Sequence, residues 1–203
     1  MMDDPQDNTL QTISYSDIFL SCFSESGTHC VHSKPEHVLT YLYSGEQVIE
    51  DRNKRITIKA GECAFIRRDH RLTMYKNSKG KELYKGISLV FQRNVLRDFY
   101  SKMNKSEIPE EIKISDKNVF KLNKTPDIES LFQSLTPYFD SHIKPTESVI
   151  HLKLLEGIYA LLNNNEMFYP ILFDFAEPWK IVSTRGTTPP PLLIPEHCHP
   201  RNP

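Results

Sequence analysis

The sequence is poor in the residues on which small disulfide-stapled and phosphate-binding proteins depend. Its 203 residues hold four cysteines, Cys22, Cys30, Cys63 and Cys198, with no Cys-x-x-Cys pair among them. Such spacing encodes neither a disulfide framework nor a zinc knuckle, and the thiols read as reduced and packed like small apolar groups. With seven glycines the chain has little material for phosphate-cradling loops. It carries no Walker loop, Gly-x-Gly-x-x-Gly turn, Gly-x-Ser-x-Gly elbow or His-Glu-x-x-His helix. No apolar run approaches the ~18 residues of a membrane span, and the start MMDDPQD lacks the basic and apolar regions of a secretory signal. The chain reads as a soluble cytoplasmic protein that is not an enzyme, with no cofactor and no membrane partner.

Net charge is also scarce, since 25 Lys and Arg against 26 Asp and Glu leave −1. That balance excludes a chain that coats nucleic acid by bulk charge. It conceals a basic block: residues 51–105 carry 15 Lys and Arg and five Asp and Glu, a local +10. Many of these charges alternate with apolar residues or sit in turns, as the solvated face of a sheet requires. They are not read as a DNA-binding surface.

What is present is a change of period. Arg55-Ile56-Thr57-Ile58-Lys59 alternates polar and apolar, which predicts a half-buried strand with Ile56 and Ile58 on one face. Similar runs at 18–23, 37–43, 46–50, 63–66, 72–75 and 83–91 are rich in β-branched and aromatic residues. Between them lie the turn residues Ser44-Gly45, Asp51-Arg52-Asn53, Ala60-Gly61 and Asn77-Ser78-Lys79-Gly80. Seven such strands imply a sandwich or small barrel.

After residue 92 the spacing becomes helical. Segments 92–104 and 127–141 place Val95, Leu96, Phe99 and Met103, then Ile128, Leu131, Phe132 and Leu135, at helical intervals, with Pro137 expected to kink or end the second. A third helix starts at Pro145-Thr146-Glu147 and stops at Asn163-Asn164-Asn165. It carries two apolar stripes, Leu152, Leu155, Tyr159 and Leu162 beside Ile150, Leu154, Ile158 and Leu161. One stripe suits packing on its own domain and the first suits a partner helix.

The end differs again. The last fifteen residues hold six of the fourteen prolines without helical or strand periodicity. Residues 1–9 and 181–203 are expected to be disordered, the latter either as a non-native tail added after Trp179-Lys180 or as a native proline-rich linker.

Two groups of residues could form a site. His29, His32 and His37, with His70 on a later strand, could be imagined as a metal cluster. However, His29 and His32 are three residues apart and would point to opposite faces of a strand, so they read as polar loop histidines. Aromatic residues on the strands instead describe a container. Tyr41, Phe65, His70 and Tyr84 are the candidate lining of a small-ligand pocket within the barrel.

The run HVLTYLYSGEQVIEDRNKRITIKAGECAFIRRDHRLTMYK, residues 37–76, resembles the N-terminal cupin-like domain of AraC/XylS-type bacterial transcriptional regulators. The resemblance rests on the Ser44-Gly45-Glu46 turn after an apolar strand, the Ile56/Ile58 strand, the Ala60-Gly61-Glu62 turn and His70 beyond it. It implies an α+β fold, with a cupin-like antiparallel barrel over 10–92 and a helical dimerisation and linker region over 93–180. The His-x-His pair of metal-dependent cupins is absent, so no metal is expected. Regulators of this family continue into two helix-turn-helix motifs, where this chain has its proline-rich tail.

The resemblance thus implies a signal-sensing, dimerising domain of a transcription regulator. Its effector is a small molecule or a protein, it forms a homodimer, and it meets DNA only through a C-terminal region missing from this chain. The alternatives are a small metal-dependent cupin enzyme, such as a dioxygenase or isomerase, and a stand-alone small-ligand-binding protein.

Overall fold

The computed structural model describes residues 11–175 apart from 24–27, 53, 80–81, 110–111 and 113–114, with backbone alone at 11–12, 20–34 and 107. The expectations for 1–9 and 181–203 lie outside the described residues. The strands are β1 (Gln11–Tyr15), β2 (Ile18–Phe23), β3 (Thr28–Lys34), β4 (His37–Ser44), β5 (Glu46–Asp51), β6 (Lys54–Lys59), β7 (Cys63–Ile66), β8 (His70–Asn77), β9 (Tyr84–Phe91) and β10 (Val119–Lys121). The helices are α1 (Arg93–Lys102), α2 (Pro126–Asp140), α3 (Glu147–Asn164) and α4 (Phe168–Leu172).

Two antiparallel sheets form, one of six strands in the order β1-β2-β9-β4-β7-β10 and one of four in the order β3-β8-β5-β6. The α+β fold is cupin-like, and the six-stranded sheet is its central layer. On β4, Val38 and Leu42 point between the sheets, into an apolar cluster with Ile49, Ile58, Leu72 and Met74 of the smaller sheet. Leu39 and Tyr41 point the other way, into a second cluster with the helices. Burial on both faces is why HVLTYLYS reads as a nearly continuous apolar run instead of a clean alternation. Each large side chain so buried contributes roughly 1.5–3 kcal/mol relative to exposure.

The turns and caps follow local chemistry. Gly45 has φ 81°, and a Cβ there would stand 2.6 Å from the Asn77 carbonyl oxygen, so this turn has room for no side chain. Helix α2 starts with Thr125 as its cap and Pro126 in its first turn, and α3 with Thr146, whose hydroxyl accepts from the Val149 amide. Tyr15 of β1 stacks on Phe139 of α2 at 5.0 Å, so the helical layer is anchored to the sheet edge as well as its centre.

Three strands beyond the seven read from the sequence complete the sheets. β3 is mostly polar, β1 is short, and the three-residue β10 comes after α1 yet pairs with β7. The sheet therefore extends past residue 92 and interleaves with the helical region. His29 and His32 lie on a strand, not in a loop. Helix α2 also passes through Pro137 to Asp140. One turn before the proline, the Tyr43 hydroxyl donates to the Phe132 carbonyl at 2.5 Å, and the Thr136 hydroxyl lies 3.3 Å from the same oxygen.

Candidate functional site

Between the sheets, buried polar side chains pair with one another. Tyr84 is 2% exposed, and its hydroxyl donates to Gln47 Oε1 at 2.9 Å. Gln47 Nε2 in turn stands 3.3 Å from the sulfur of Met74. Ser88 Oγ donates to Thr40 Oγ1 at 3.0 Å. These buried polar groups satisfy one another, as a low-dielectric interior demands.

The four pocket candidates fall in different places. Tyr84 lies between the sheets. Tyr41 lies beneath the helices and stacks on Phe132 of α2 at 4.9 Å. Phe65 is on that same face, 5.1 Å from Phe168 of α4 and 5.2 Å from His37. His70 is half-buried at the start of β8, and burial, followed by the nearby Arg67, holds its imidazole below the usual range. Strand pleating explains the separation: β4 pairs Tyr41 with Cys63 and Ile87, but Leu42 with Gly86, so Tyr41 and Tyr84 belong to opposite faces of one sheet.

The histidines are separated too. β3 runs in continuous register against β8 from Thr28 opposite Lys76 to Lys34 opposite His70, so positions 29 and 32 stand on opposite faces. His37 faces the helices and is 1% exposed, with its Nδ1 accepting the Arg68 amide at 3.1 Å. Burial, then the charges of Arg68 and Arg67, push its pKa down to about 3. Among the described residues no group of three or more His, Cys, Asp or Glu is placed to hold a metal ion.

Helix α3 separates its two stripes. Ile150, Leu154, Ile158 and Leu161 are buried against the sheet and α2, while Leu152 and Tyr159 are 61% and 54% exposed. Leu155 is half-buried and Leu162 lies within the domain core at 7% exposure. At about 100° per residue, Leu162 is turned roughly 80° from Leu152 toward the core, so the outward face narrows to Leu152 and Tyr159, flanked by Leu155. Beside the end of α3 lies an open groove of about 490 Å³ bordered by Asn163, Asn164, Asn165 and Glu166. Its asparagines are occupied locally: Asn163 donates to Asp127, Asn164 donates to the Asn123 carbonyl, and Asn165 accepts from the Met167 amide.

A feature invisible in the sequence sits where the described chain ends. Arg67, Arg68 and Arg93 gather around Asp69 and Asp174, with Arg68 Nε 3.4 Å from Asp69 and Arg67 Nη2 3.6 Å from Asp174. No local motif marks this group, because its members come from the β7–β8 loop, α1 and the residues after α4. Elsewhere in the basic block Arg55 pairs with Glu50, Lys85 with Asp140 and Lys102 with Asp98.

Against known families, the model of the ExsA N-terminal regulatory domain matches residues 37–169. The chain belongs to that family. The likeness of residues 37–76 to the regulatory domains of AraC-type proteins is thereby confirmed. A structure of ToxT from Vibrio cholerae O395 bound to (E)-4-(8-methylnaphthalen-1-yl)but-3-enoic acid is similar with a TM-score of 0.55 at 10% identity, covering 87% of this chain and 64% of that one. An apo ToxT variant from Vibrio cholerae strain SCE256 gives 0.54 at 10% identity, covering 84% and 65%. At such identity the likeness is one of fold, and this chain spans just under two thirds of ToxT's length. No protein of curated function matches the sequence. Among the described residues no helix is long and apolar enough to cross a membrane.

Proposed function

We propose that this regulatory domain senses a signal, self-associates through the outer face of α3, and passes the result to a sequence-specific DNA-binding region that lies outside this chain. The observation that carries the reading is the regulatory-domain match over residues 37–169. Leu152 and Tyr159 support the association step, because large apolar side chains at a helix centre are costly to leave in water unless a partner covers them. The mechanism is linkage: an effector that binds one arrangement of the dimer better than another shifts the population, and the attached region responds.

The effector is a small molecule or a protein. A naphthalene-bearing acid is the ligand in a ToxT structure, so small apolar acids are the first molecules to try.

The test is transplantation. The chain is fused ahead of a DNA-binding domain that occupies a two-half-site operator only as a dimer, and a reporter is read. Repression by the fusion, lost on Leu152→Asp, supports the reading. A fusion no better than the isolated DNA-binding domain removes the association step.

A further inference from the structure

The residues after α4 are held by two separate parts of the domain. Phe173 has its ring 6.0 Å from Phe99 and 5.1 Å from Tyr100 of α1. Phe175 has its ring 5.9 Å from Tyr100, with the Arg97 guanidinium 5.5 Å away. Asp174, between them, turns to the β7–β8 loop: its backbone carbonyl accepts from Arg68 Nη2 and its carboxylate faces Arg67. Alternate residues of one short strap thus grip a helix and a barrel loop.

That loop is tied deep into the sheets. The Arg68 amide donates to His37 Nδ1, and the Arg67 amide donates to the Asn118 carbonyl at 2.7 Å. Asp69 holds φ 61°, a conformation that an L-residue keeps only where its surroundings enforce it. Its carboxylate is shared between Arg68 and Arg93. The Arg68 side chain is itself 5% exposed. A guanidinium taken so far from water is costly unless its hydrogen bonds are met, and one of them is met by a carbonyl 106 residues further along the chain.

We propose that Phe173–Phe175 is a clasp that couples the loop 67–69 to the direction in which the chain leaves the domain. Closed, the Asp174 carbonyl accepts from Arg68 Nη2 and the two phenyl rings seat on α1. Opening strips a buried cation of that partner, so the loop and the strap open together and a perturbation at either end reaches the other. The biological use of this coupling, a path from the sensing domain to an attached DNA-binding region, rests on the regulatory reading. The coupling itself is measured without DNA or effector, so failure of the clasp and failure of that reading are distinguishable.

Hydrogen exchange on the whole chain tests it at two amides, that of Phe173, which donates to the Tyr169 carbonyl at 3.1 Å, and that of Arg68. Arg68→Met is expected to speed exchange at Phe173 by ~tenfold with β4 and β9 unchanged. The double variant Phe173→Ser, Phe175→Ser is expected to speed exchange at Arg68 to a similar degree. Asp174→Asn keeps the carbonyl contact and removes only a half-exposed ion pair, so its effect at Arg68 stays within about twofold. Acceleration confined to the mutated end overturns the clasp, as does an Asp174→Asn effect equal to that of Arg68→Met. Should Arg68→Met not fold, the double phenylalanine variant read at Arg68 decides alone.

Discussion

His37 lies against Phe65 with ring centroids 5.2 Å apart and planes 29° from parallel, beneath α4 and out of reach of water. Its Nδ1 accepts from the Arg68 amide, so the neutral ring carries its proton on Nε2. A second proton would place a charge beside two arginines in an apolar layer. The folded pKa of about 3 against 6.5 unfolded means that the unfolded chain binds more protons between those values. This contribution is fully present above pH 6.5 and is lost as pH falls toward 3, about 2 kcal/mol of it by pH 5. Denaturant titrations at pH 7 and pH 5 are expected to show that loss. His37→Asn, which retains an acceptor for the Arg68 amide, is expected to remove most of it.

The Tyr43 hydroxyl, bound to the Phe132 carbonyl and 3.2 Å from Thr136 Oγ1, joins the central sheet to α2. Tyr43→Phe keeps the ring and leaves that carbonyl one donor short, at a cost of about 1 kcal/mol by thermal or chemical unfolding at pH 7. Burial raises the phenol's pKa to about 12. Ionisation favours the unfolded chain, so the stability that Tyr43 supplies is present below pH 10 and lost as pH rises from 10 to 12. The wild type is expected to lose more stability than Tyr43→Phe across that range.

Gly157 sits in the middle of α3, where glycine costs roughly 1 kcal/mol relative to alanine. The close approach of the helix to β9 accounts for it: a Cβ would stand 3.1 Å from the Phe91 ring, which is fully buried. Gly157→Val is expected to push α3 off the sheet and destabilise the domain by about 1–3 kcal/mol, despite removing a glycine from a helix. A variant as stable as the wild type would show that the Phe91 ring can yield.

The parts of this fold legible in the sequence are those written in local period and local chemistry. Ile56 and Ile58 announce β6, Thr146 announces the start of α3, and the buried stripe Ile150, Leu154, Ile158 and Leu161 is visible as spacing alone. Parity across strands is not. Nothing in the sequence near Tyr41 and Tyr84 tells which face of the central sheet each takes, because that depends on the register of β4 against β9 and its irregularity between Leu42 and Ser44. β3 hides because its residues are mostly polar, and β10 because three residues hold no period. The Arg68–Asp174 contact lies beyond any local reading, since 106 residues separate its members.

Self-association through α3 gives the sharpest prediction. Leu152 and Tyr159 are two turns apart on the exposed face, and Tyr159 rests edge-on against Phe99 at 4.9 Å, so the surface they present is fixed rather than loose. In a two-fold pair each helix would meet its own copy, and Leu152→Asp would bring two carboxylates together in a covered seam. Desolvation and repulsion there cost several kcal/mol of association, while the fold itself, which leaves Leu152 in water, loses little. Leu155→Asp is a different experiment, because Leu155 packs partly on the domain core and its loss lowers the melting temperature as well. Light scattering at micromolar concentration is expected to show a wild-type dimer, a Leu152→Asp monomer of unchanged melting temperature, and a Leu155→Asp monomer of reduced melting temperature. A wild-type monomer, or a Leu152→Asp dimer as tight as the wild type, would take α3 out of the interface.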